Sequence, residues 1–77
     1  MMTLRLEKTD PPRTEFYECE LAVVGREDES GATGITTYPE KGLPVAHYVG
    51  PLPGQASEAF LMNSSGQTVE VLRRRSD

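Results

Sequence analysis

The chain has 77 residues, 36% hydrophobic and 26% charged, with 12 acidic groups against 8 basic ones and a formal net charge of −4. At about 100–200 residues per domain this is one small domain, with no room for a multidomain enzyme, a large buried catalytic cavity or a thick core. Leu, Ile, Val and Phe together number only 16, close to the roughly 20% below which chains tend to stay disordered.

A core this small usually needs a staple: a disulfide, a metal or a partner subunit. Cys19 is the single cysteine, so no intrachain disulfide forms. Cys19 and His47, the single histidine, do not fill a zinc site, and no local ligand spacing is present. No metal and no cofactor are therefore expected. Burial against another chain, as a homodimer or within a complex, is the remaining staple. No run approaches the ~20 apolar residues of a membrane span, and the start, Met1-Met2-Thr3-Leu4-Arg5-Leu6-Glu7-Lys8, lacks the apolar stretch of a signal peptide. A lone thiol without an export signal points to a cytoplasmic location.

Turn residues divide the chain at Asp10-Pro11-Pro12, Gly25, Ser30 to Gly34, Pro39 to Gly42 and Gly50-Pro51-Leu52-Pro53-Gly54. The segments between them have strand length. Met2, Leu4 and Leu6 alternate with Thr3, Arg5 and Glu7, as in a half-buried strand. Next, Tyr17, Cys19, Leu21 and Val23 share one face of a second strand, whose end, Ala22-Val23-Val24, is apolar on both faces. The β-branched run Ile35 to Thr37 suits a third strand, and Val45, His47 and Val49 mark a fourth between Pro44 and Pro51. Segments 59–63 and 68–72, joined by Ser64-Ser65-Gly66-Gln67, read as a hairpin. The reading for 55–62 divides, because Ala56, Ala59 and Phe60 also fall at helical spacing. The expected fold is all-β, mostly antiparallel, with five to six short strands in a small barrel or sandwich. The alternative is α+β with one short helix near 55–62. Residues 1–72 form the single domain and 73–77 a basic C-terminal tail.

Little in the sequence promises catalysis. His47 sits on an inward-facing strand position with no neighbouring nucleophile, as a structural histidine would. Cys19 lies between Glu18 and Glu20, and both negative charge and burial oppose a thiolate. Gly31-Ala32-Thr33-Gly34 matches no phosphate-binding pattern. No catalytic residue is assigned. The polarised features suit contact with a protein. Glu27-Asp28-Glu29 forms an acidic loop that can steer onto a basic surface, although solvated loop charge is its plainer reading. Leu52 stands between two prolines as a rigid apolar tip, or tucks back onto the core. Arg73, Arg74 and Arg75 can grip phosphates, pair with the chain's own glutamates, or form a solvated tail.

The functional expectation is a non-enzymatic, small acidic protein-interaction module, an adaptor, accessory or inhibitor, that binds a larger, basic-surfaced protein. Its contact residues are Glu27, Asp28, Glu29, Leu52, Arg73, Arg74 and Arg75. The alternative is a β-module binding single-stranded nucleic acid, with Phe16, Tyr38 or Tyr48 stacking on bases and the terminal arginines on phosphates. The acidity of residues 1–40, with nine acids against four bases, opposes that alternative.

Overall fold

The computed structural model describes residues 1–74. Among them are seven strands and no helix: β1 Met2–Thr9, β2 Pro12–Cys19, β3 Leu21–Glu27, β4 Thr33–Tyr38, β5 Val45–Val49, β6 Ala56–Met62 and β7 Thr68–Arg73. The fold is all-β and mostly antiparallel. The count exceeds the expected five to six because the strand anticipated across 17–24 is two strands.

The break falls at Glu20, which lies outside both strands and whose N–H donates to the Tyr38 carbonyl at 2.9 Å. Before it, Tyr17 and Cys19 face inward; after it, Ala22 is the half-buried position and Leu21 and Val23 are 55% and 45% exposed. The single apolar face expected for Tyr17, Cys19, Leu21 and Val23 therefore does not exist. A bend of one residue exchanges the faces, since side chains alternate with a period of two.

The strands form one sheet in the order β2-β1-β6-β5-β4-β3, with β7 also pairing β6. All ladders are antiparallel except β5–β6, a parallel pairing reduced to Val49 opposite Ala56. From that narrow join the sheet folds over itself, and Tyr17 on β2 meets His47 on β5 with ring centroids 4.3 Å apart. The sheet is not closed into a barrel.

Segment 56–62 is a strand, not the alternative helix. Its apparent helical spacing has a different cause. Leu6 pairs with Ala59 and Glu7 with Glu58, but Lys8 pairs with Ala56, so the ladder carries a bulge there. The extra residue, Ser57, lets Ala56 and Ala59 both face inward and both be fully buried. Pairing with β1 on one side and β7 on the other outweighs the segment's helix propensity.

The inward alternation expected of β1 holds, with Leu4 and Leu6 0% and 2% exposed. They join Ile35, Val49, Ala56 and Ala59 in the core, against which Tyr17, Ala22 and Leu72 pack. The β6–β7 hairpin forms where the turn signal lies. Asn63 Oδ1 accepts from the N–H groups of Ser65 and Gln67, both at 3.0 Å, and Gly66 supplies φ = 84°, which a side chain would oppose.

Candidate protein-interaction surface

The β3–β4 turn is built around Asp28. Its Oδ1 accepts from the Ser30 N–H (2.8 Å), the Ser30 hydroxyl (2.6 Å) and the Ala32 N–H (3.0 Å), and its own N–H donates to the Ala32 carbonyl at 2.8 Å. The Ser30 hydroxyl, followed by the Ala32 amide, holds this carboxyl below its ordinary range. Asp28 thus shapes the turn, while Glu27 and Glu29 project from it as exposed carboxylates. The acidic loop is an ordered Asx-type turn with one structural acid and two outward ones.

The β5–β6 loop packs beside this turn. Gly50 lies so close to Ala32 that an added Cβ would stand 2.8 Å from the Ala32 Cα and 2.9 Å from Gln55 Oε1. A Cβ on Gly31 would meet Pro51 and Glu27 Oε1, each at 3.5 Å. Two backbone bonds close the loop, from Gly50 N–H to the Ala56 carbonyl (2.8 Å) and from Gln55 N–H to the Leu52 carbonyl (3.2 Å). Leu52 remains 46% exposed at the tip, so it does not tuck back onto the core.

Arg73 arrives at the same end from β7. It is the last residue of that strand, so ordered structure extends one residue into the expected basic tail. Its Nη1 donates to Thr33 Oγ1 at 3.3 Å and lies 4.0 Å from Glu27 Oε1. The side chain is only 19% exposed, against 62% for Glu27, so Arg73 braces the acidic turn and leaves Glu27 accessible. Arg74 is exposed; Arg75 lies outside the described residues. Glu27, Asp28, Glu29, Leu52 and Arg73 therefore share one end of the molecule. Forty-six positions separate Glu27 from Arg73, and no local pattern signals their approach.

A second polar group lies away from that end. Tyr17 donates its hydroxyl to Glu15 Oε1 at 2.7 Å, and Glu15 also pairs with Lys8 (3.3 Å) and Arg13 (3.1 Å). The Tyr17 hydroxyl is the main influence lowering the Glu15 carboxyl; burial opposes it, and Lys8 and Arg13 add to it. His47 packs on Tyr17, and its Nε2 lies 3.1 Å from Thr37 Oγ1. The Thr37 hydroxyl also lies 3.3 Å from the Val45 carbonyl. Burial lowers the His47 pKa, with Glu15 opposing and Lys8 reinforcing. Lys8, Glu15, Tyr17 and His47 border a cleft of about 260 Å³. They satisfy one another, and sequence reading missed the Lys8–Glu15–Tyr17 chain because it crosses between strands.

Cys19 does not line that cleft. It is 1% exposed, and burial, then the Glu20 charge, raise its thiol pKa. Among the described residues no three of His, Cys, Asp or Glu are grouped to hold a metal ion, and no helix is long and apolar enough to cross a membrane. Phe16 lies on the outer face of β2, opposite Arg5. Tyr38 and Tyr48 belong to the β3–β4–β5 part of the sheet. Compared with known proteins, this chain is matched by no family model, no curated protein and no solved structure.

Proposed function

We propose that the protein is a non-enzymatic interaction module that docks, through the end carrying the acidic turn and Leu52, onto a basic surface of a larger protein. The observation behind this reading is the packing of the β3–β4 turn against the β5–β6 loop. That packing brings two exposed carboxylates and an exposed leucine to the same end of the molecule. Apolar anchors held in one conformation bind at low entropic cost, and flanking charge raises the encounter rate and selects the partner. The cytoplasm suits an unpaired, buried Cys19.

The test uses the immobilised 77-residue chain and a native lysate, with captured proteins quantified by mass spectrometry. Glu27→Lys with Glu29→Lys, and separately Leu52→Asp, are compared with the distant control Glu40→Lys. One captured protein is expected to fall about tenfold with each site variant, the loss of an anchor residue, and to persist with the control. Its capture should also weaken as salt is raised, because exposed charges are screened. Capture unchanged by both site variants overturns the proposal.

A further inference from the structure

β5 is held unequally along its two sides. On one it pairs with β4 over its whole length, from Thr33–Val49 to Thr37–Val45. On the other it meets β6 only at Val49 opposite Ala56. Towards β1 and β2 side chains around the cleft replace the ladder. Lys8, Glu15 and Tyr17 line one wall; His47 and Tyr48 of β5, with Gly54 and Gln55 of the β5–β6 loop, line the other. His47 crosses between them, its ring 4.3 Å from that of Tyr17 and tilted by 39°.

His47 occupies the rim of the core. On its own face of β5, Val49 is fully buried and Val45 is 49% exposed. Nε2 lies 3.1 Å from Thr37 Oγ1. Nδ1 has no hydrogen-bond partner among the described residues and is not a buried orphan, so it reaches water and can take up a proton with the fold intact. The loop wall has a weakness of its own. Gln55 Oε1 is buried without a hydrogen-bond partner, an unfavourable state that any movement admitting water relieves. The backbone N–H of Gln55 donates to the Leu52 carbonyl at 3.2 Å, so movement of Gln55 reaches the apolar tip.

We propose that His47 is a proton-operated latch: neutral, it clasps β5 to β2 through Tyr17; protonated, it turns into the cleft towards Glu15 and releases the β5–β6 loop that carries Leu52. A proton shifts such an equilibrium only by binding one state more tightly than the other. The turned-out ring is solvated and faces the one carboxylate that lines the cleft, whereas the tucked ring carries its charge at the edge of the core. The groups facing His47 are Tyr17 and Glu15 from β2, Lys8 from β1, Thr37 from β4, Tyr48 from its own strand and Gln55 from the loop. Arg13 stands behind Glu15 at 3.1 Å. Burial is the largest influence on the ring and opposes its charge; Glu15 favours the charge and Lys8 opposes it. Control of docking by the latch rests on the function proposed above. The latch itself is read without a partner, so failure of one is distinguishable from failure of the other.

An NMR titration of the 77-residue chain from about pH 8 to 5, which brackets histidine, tests this. The His47 ring should titrate below its ordinary 6.5. The Tyr17 ring signals and the amide signals of Leu52, Gly54 and Gln55 should shift with the same midpoint, while the amides of Leu4, Leu6 and Ala59 stay in place. His47→Gln should abolish the coupled shifts. Glu15→Gln should lower the midpoint and Lys8→Gln should raise it, because they remove opposite influences on one ring; a general loosening would move both the same way. A ring titrating at 6.5 or above, Tyr17 or loop signals that ignore its midpoint, or loop shifts that persist in His47→Gln each overturn the inference. So does simultaneous loss of the Leu4 and Ala59 signals, which means global unfolding. Capture of the Leu52-dependent protein should fall from pH 7.5 to 5.5 with the wild type and hold steady with His47→Gln; equal capture by the wild type at both overturns the control of docking.

Discussion

His47 is 9% exposed, and burial disfavours its charged form, so its folded pKa lies below the ordinary 6.5. Between the folded and unfolded values the unfolded chain binds more protons, and stability rises with pH there. The contribution is fully present above pH 6.5 and declines as pH falls through the folded pKa. Urea denaturation at pH 7.5, 6.5 and 5.5 should therefore show the midpoint falling on acidification, and His47→Gln should flatten that slope. Glu15 cannot produce the same effect, because its carboxyl is lowered from 4.5 and its contribution is lost only in more acidic solution. The inward position of His47 follows from its alternation with Ala46 and Tyr48, on the face it shares with Val49. Its partners do not, because Tyr17 and Thr37 come from other strands.

At the scale of elements, alternation serves well wherever a strand is regular and misleads wherever it is interrupted. β1 is continuous and buries Leu4 and Leu6 as its pattern requires. At Glu20 a bend exchanges the faces, and at Ser57 a bulge imitates helical spacing; both irregularities arise from how the strand meets its neighbour. The contact between the β3–β4 turn and the β5–β6 loop depends on the absence of a side chain at Gly50. Gly50→Ala drives a methyl to 2.8 Å from the Ala32 backbone, a distance that requires a shift. It should cost about 1–3 kcal/mol, the usual range for overpacking. Thermal denaturation measures that loss, and faster amide exchange at Gly50 and Ala32 would show the two loops parting.

For the whole molecule, the small core makes each buried residue count. A domain of this length is stable by about 4–12 kcal/mol at typical values per residue. Leu6→Ala, at a position 2% exposed and central to the cluster, should remove about 2–5 kcal/mol and leave the chain close to unfolding in urea titration. Leu43→Ala, at a position 83% exposed, should change stability by less than about 0.5 kcal/mol. Equal effects from the two would refute the assignment of the core.

Composition and turn residues alone establish a small, single-thiol, acidic chain of short strands, because strand length and alternation are local properties of the backbone. The hairpin at Asn63 to Gln67 and the inward stripe of β1 belong to that legible part. Tertiary structure decided the rest: the open sheet and its strand order, the division of one expected strand into two, and the meeting of Glu27, Leu52 and Arg73 at one end. Those outcomes depend on which strands pair across long separations, and pairing energy resides in neighbours that a linear pattern does not contain.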